Sequence, residues 1–208
     1  MAGMSQRSAP SFTCFCPAPL PAALSTPAQL RARYRVEDIV VVQGAAVAGI
    51  EPGQVWWRLE NSGGLAVPTA PFVGSTQHLV YTDAAERREL VRISTGPSGP
   101  CAVLIPIRKS AAWWALAQDE RQAFLTGGAR SGHIPLGRPF ASHIYRRLYH
   151  SRYLPGSEWD FVTYFEFPES LADTFRDLLS SLRDPAQNPE WTYVERELEL
   201  WMRLSPEE

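Results

Sequence analysis

The chain predicts an α+β fold, and three observations predict it. Residues 101–208 run strand, helix, strand, strand, helix, strand, which is the ferredoxin-like order. Two of those strands, "HIYRRLYHSR" and "WDFVTYFEF", are aromatic and β-branched, and the two last strands are apolar enough on both faces that their sheet needs cover on each side. Ahead of them, residues 34–100 hold enough strand-like sequence for a shortened, degenerate copy of the same unit that closes a barrel.

The elements follow in order. Residues 1–33 are Pro- and Ala-rich, and their prolines interrupt every apolar stretch, so a disordered leader is expected and not an export signal. Within it, Cys14 and Cys16 form "CFC"; three cysteines at such spacing make neither a disulfide framework nor a zinc site. A reducing, cytoplasmic setting is the expectation. In residues 34–100, "EDIVVVQGAAVAGI" reads as a buried strand ending in glycines and "QVWWRLEN" as a second strand, followed by turn-rich coil, a strand-like "HLVY" and a short charged helix.

The half from residue 101 onward is cleaner. "CAVLIPIRK" is a strand, and "SAAWWALAQDERQAFL" a helix capped by Ser110, with Trp113, Leu116 and Phe124 near one face. The turn signal "LPGSE" separates the two aromatic strands. "SLADTFRDLLSSLRD" sets Leu171, Phe175, Leu178, Leu179 and Leu182 at helical spacing, and "WTYVERELELWMRL" ends the chain as a strand that alternates Arg196, Leu198 and Leu200 with Glu195, Glu197 and Glu199. The sheet face that the helices leave bare is expected to line a cavity, the place for a ligand.

Charge and hydropathy narrow the function classes. A net charge of −2, with arginines scattered among carboxylates, gives no electrostatic footprint for nucleic acid. No run approaches the ~20 apolar residues of a membrane span. On a strand, Ile144, Arg146, Leu148 and His150 share one face, and Phe161, Thr163, Phe165 and Phe167 share a face of the next. If these faces meet the cavity, Arg146 is a guanidinium in apolar company, for which an anionic ligand is one partner; a surface arginine is the alternative. His133, His143 and His150 each fit a loop, capping or structural role as readily as a ligand role.

Taken together, "LIPIRKSAAWW", "LAQDERQAF", "RRLYHSR", "WDFVTYFE" and "EWTYVERE", with weaker echoes in "VWWRL" and "VYTDAAERREL", resemble the chlorite dismutase family. That family comprises haem b proteins built from two ferredoxin-like halves, and the short first half resembles its compact, dimeric branch. The resemblance implies conversion of chlorite to chloride and dioxygen in a homodimer. It implies His133 as the iron ligand, because a histidine stands thirteen residues before the pocket arginine that begins "RRLYH", here Arg146. It places Leu148, Thr163 and Phe165 in the distal pocket, Lys109 and Trp113 near the haem propionates, Trp114 beside the proximal ligand, and Glu190 as acceptor of the ligand's Nδ1 proton.

Arg146 would hold the oxyanion. It stays cationic at any working pH, and two charges about 4 Å apart at an effective dielectric near 20 attract by about 4 kcal/mol before desolvation. The segment "TGGARSGHI" is longer than the family pattern and rich in glycine, and Pro135 and Pro139 follow, so the proximal helix is expected to be interrupted. Two other readings of the resemblance are a coproheme decarboxylase, whose members generally lack the pocket arginine, and a non-catalytic haem-binding or sensing protein.

Overall fold

The structure, a computed structural model, describes residues 12–20, 30–61, 70–75, 99–127 and 132–205. Its strands are β1 (Phe12–Pro17), β2 (Leu30–Gln43), β3 (Val55–Asn61), β4 (Phe72–Ser75), β5 (Cys101–Lys109), β6 (Tyr145–His150), β7 (Phe161–Phe167) and β8 (Val194–Leu204). The helices are α1 (Ala111–Ala115), α2 (Gln118–Thr126), α3 (His133–Gly137) and α4 (Ala172–Leu182), with short 3-10 turns before β6, α4 and β8.

The strands close into one barrel in the order β1-β3-β2-β8-β5-β7-β6-β4. Read from β4, the first four lie β4-β1-β3-β2; read from β8, the last four lie β8-β5-β7-β6. Both halves therefore share the ferredoxin-like strand order, joined antiparallel at β2–β8 and β4–β6.

This arrangement corrects the expected leader and the boundary at residue 34. Phe12–Pro17 is a strand paired with β3 and β4, and Tyr34 lies inside β2. The strand forms because both of its faces are apolar: Phe15 enters the barrel core, while Cys14 and Cys16 pack outside with Leu59 and Val73. The expected "HLVY" strand and charged helix lie outside the described residues.

Alternation sorts β5, β7 and β8 between two cores. Ala102, Leu104, Val162, Tyr164, Leu198 and Leu200 point into the barrel with Tyr34 and Trp56. Val103, Ile105, Phe165, Phe167 and Trp201 point outward against Phe175, Leu178 and Leu179 of α4. The barrel interior is thus filled by side chains, and the expectation of a ligand on the sheet face bare of helices is corrected: the cavity lies between the sheet and its helices. No described helix is long and apolar enough to cross a membrane.

The helix expected over residues 110–125 is broken. Ser110 caps α1 through its side chain, and Leu116 and Ala117 are extended before α2 begins. Glu120 reaches back to the Ala117 backbone N–H at 2.6 Å and restarts the helix. The break folds α2 back so that Phe124 and Trp113 rings still meet, with centroids 6.1 Å apart.

Candidate functional site

A cavity of ≈300 Å³ lies between the outer face of β5–β7–β6 and the layer of α3 and α4. Its sheet wall is Ile105 and Ile107 of β5, Phe161, Thr163 and Phe165 of β7, and Arg146 and Leu148 of β6. Register aligns them: Leu148 and Ile105 flank Thr163, and Arg146 lies beside Phe165. The helical wall presents His133 and Leu178, Leu179 and Leu182. Such a lining, apolar with a few placed polar groups, is that of a ligand site.

His133 is the first residue of α3, and Gly132 before it has φ +117°, a backbone that favours glycine. A Cβ at Gly132 would stand 2.7 Å from Gly127 Cα, so the glycine also permits the end of α2 to pass close by. The expected interruption of the proximal helix is present, and it places His133 in the cavity wall instead of removing it.

His133 Nδ1 lies 3.1 Å from Glu190 Oε2, and the other oxygen of Glu190 accepts from Lys109 Nζ at 2.5 Å. Glu190 and Lys109 are 6% exposed each, so this is a buried ion pair whose members need one another, with the imidazole beside its second oxygen. Burial pushes Glu190 up, but the Lys109 ammonium and His133 outweigh it and hold the carboxyl well below the usual carboxylate range. With Nδ1 turned to a carboxylate, Nε2 is the ring nitrogen left for a ligand bond.

Arg146 stands on the sheet wall. Burial presses its pKa down from the ordinary value while the Glu190 carboxylate pulls it back, and a guanidinium remains cationic throughout. Among the described residues its side chain has no hydrogen bond or ion pair. An anion in the cavity would supply one.

Other expected residues fall differently. Lys109 lines the cavity with its ammonium engaged by Glu190 and resting 4.8 Å from the Trp113 ring centre. Trp113 lines the cavity on that same side, and its buried Nε1 has no hydrogen-bond partner among the described residues. Trp114 is absent from the lining. It stacks outside on Phe161 at 6.0 Å, donates from Nε1 to Asp160 and carries the Arg152 guanidinium 3.9 Å above its ring. Its adjacency to Trp113 misled, since neighbours on a short helix point in different directions. His150 sits behind the ring of Phe161 and His143 bonds Ser142 at the surface, so neither enters the lining.

Sequence reasoning missed a second polar group. Arg183, which follows α4, clamps Glu197 and Glu199 of β8, all three in or beside the cavity wall. Burial raises the pKa of Glu197 against the pull of Arg183. The detectable signal was two glutamates at i and i+2 within a strand of Leu, Trp and Met, too apolar on its other face to lie in solvent.

Comparison with known proteins bears on the family and the fold. The family model described as "Chlorite dismutase" matches residues 55–199. A chlorite dismutase of Ideonella dechloratans is 30% identical over 125 residues, 58% of this chain and 41% of that protein, so the match spans under half of the relative's length. A dimeric chlorite dismutase from Nitrobacter winogradskyi superposes with a TM-score of 0.70 at 30% identity, covering 93% of this chain and 99% of that one. The chlorite dismutase of Candidatus Nitrospira defluvii in complex with imidazole, at 21% identity and a TM-score of 0.65 over 94% of this chain and 91% of that one, shares the fold.

Proposed function

Since the chain belongs to the chlorite dismutase family, we propose that its cavity holds haem b and that the loaded protein converts chlorite to chloride and dioxygen. One observation carries the reading: the helical wall presents a histidine whose Nδ1 is turned to a buried carboxylate, and the facing sheet wall presents an arginine without a hydrogen bond or ion pair among the described residues. Among the described residues no three His, Cys, Asp or Glu side chains gather as a metal-binding group. A single imidazole at an apolar cavity suits a metal that brings its remaining equatorial ligands with it, as iron in a porphyrin does.

Haem supplies the iron at which an oxygen of chlorite can be taken up and returned. The chain does the rest. His133 binds through Nε2, and Glu190 fixes the tautomer and strengthens the imidazole as a donor by accepting from Nδ1. Lys109 keeps Glu190 ionised. Arg146 binds the chlorite anion and holds the hypochlorite left once one oxygen has been taken up, until both oxygens leave as dioxygen and chloride is released; its fixed charge suits a reaction with no net proton or electron change. Leu148, Thr163 and Phe165 surround the anion with surface that offers no ionisable competitor.

The active species is a homodimer on this reading, like the Nitrobacter relative, with exposed Val40, Val41 and Leu204 of β2 and β8 available for burial. Light scattering at micromolar concentration should give twice the monomer mass. For activity, the protein is produced with haem supply and chlorite is added at an oxygen electrode. Dioxygen equal to the chlorite consumed is expected, and a haem spectrum without oxygen release would overturn the enzymatic reading in favour of haem binding alone.

A further inference from the structure

The wall of the cavity beside β8 has a chemistry that the proposed reaction does not use. Glu197 and Glu199 are 5% and 4% exposed, and they share one guanidinium. Arg183 donates from Nε and Nη2 to Glu197 Oε1 at 2.9 and 2.5 Å, and its Nη1 lies 2.5 Å from Glu199 Oε1. Trp201 Nε1 donates to the other oxygen of Glu199. Each nitrogen of Arg183 is therefore already on a carboxylate.

Nearby, Asn188 is 3% exposed, gives its Nδ2 to the Leu182 carbonyl at 2.7 Å and leaves Oδ1 buried without a partner among the described residues. Asn188, Arg183 and Glu197 all line the cavity. Lys109, which also lines the cavity, is held by Glu190. Among the described residues this wall presents acceptors, and its cation, Arg183, is committed to them.

We propose that the Glu197–Arg183–Glu199 cluster, with Asn188, is a specificity determinant: it admits an apolar or hydrogen-bond-donating edge of an iron porphyrin and rejects an edge that carries carboxylates. The inference rests on the haem reading and deepens it. A carboxylate buried against this wall would lie among acceptors with no counter-ion, which costs far more than the contact returns. Haem b carries its propionates side by side on one edge, so the macrocycle seats with that edge turned away from β8. Iron coproporphyrin III bears a further propionate in place of each vinyl group and has no such carboxylate-free edge to offer.

The test titrates the protein, prepared without porphyrin, with haem b, iron mesoporphyrin and iron coproporphyrin III, following the Soret band and tryptophan quenching. Haem b and iron mesoporphyrin, which differ only at the vinyl positions, should bind alike, and iron coproporphyrin III about tenfold or more weakly. In Glu197→Gln, whose carbonyl still accepts from Arg183, the gap between haem b and coproporphyrin should narrow by about tenfold. If that variant fails to fold, Glu199→Gln is read in the same way. Coproporphyrin binding as tightly as haem b to the wild type, or a gap unchanged in the folded variant, overturns the proposal alone. Failure of all three iron porphyrins to bind overturns the haem reading and this proposal with it.

Discussion

Gly132 donates its backbone N–H to the carbonyl of Gln187 at 2.9 Å, one residue before His133 and three before Glu190. The segment that supplies the carboxylate for the histidine ring also holds the backbone from which that histidine projects. The segment is itself stiff: Asp184 accepts from the Ala186 N–H and from Gln187 Nε2, each at 2.9 Å, and its backbone carbonyl accepts from Asn188 N–H at 2.7 Å.

Gly132→Ala tests this attachment. The new Cβ would meet Gly127 Cα at 2.7 Å on a backbone of φ +117°, so the substitution should destabilise by about 1–3 kcal/mol and displace His133. A urea melt of the porphyrin-free protein reads the first effect. Haem titration reads the second as weaker binding even where the variant remains folded.

Glu190 predicts a pH dependence. Its folded pKa is held below the unfolded value of about 4.3, so its contribution to stability is complete above that pH and declines as the pH falls below it. Urea midpoints taken between about pH 7 and about pH 3 should show wild type losing its advantage over Glu190→Gln on acidification. Glu190→Ala, which leaves the Lys109 ammonium buried without its partner, should cost about 3–5 kcal/mol at neutral pH.

How legible this was in the sequence varies by element. The order of strands and helices in residues 101–208 could be read directly, because each strand there is flanked by turn residues and α4 keeps a clear helical period. Phe12–Pro17 was hidden by the prolines around it, which look like a leader until both strand edges find partners in β3 and β4. The pairing of His133 with Arg146 came from spacing within a resemblance, and Glu190 with it. Strand parity grouped Arg146 with Leu148 and Thr163 with Phe165, and the structure shows that both faces meet one cavity. Parity could not reveal that Lys109 is engaged by Glu190, nor that Glu197 and Glu199 are buried, since both depend on how helices and loops return over the sheet.

The ligand assignment separates the histidines. His133→Ala should lose most of its haem or give the spectrum of a weakly ligated iron, while His143→Ala and His150→Ala should retain it, because among the described residues His133 is the histidine that lines the cavity. Absorption spectra of the variants after haem loading decide this. Loss of haem on His143→Ala alone would contradict the site as built.

Arg146 makes the sharpest prediction. Its side chain has no protein partner to lose among the described residues, so Arg146→Ala should fold and bind haem through His133. What it removes is, among the described residues, the cation of the sheet wall that is left to pair with an anion beside Leu148 and Phe165. Affinity for fluoride and cyanide should fall, with dioxygen yield per chlorite, and inactivation should come sooner as hypochlorite escapes. Arg146→Lys should lie between, since an ammonium keeps the charge but lacks the planar fork. The measurement is turnovers before inactivation, with and without a hypochlorite scavenger: the scavenger should lengthen the life of Arg146→Ala more than that of wild type. Equal yield, anion affinity and lifetime in Arg146→Ala and wild type would show that the guanidinium does not hold the anion.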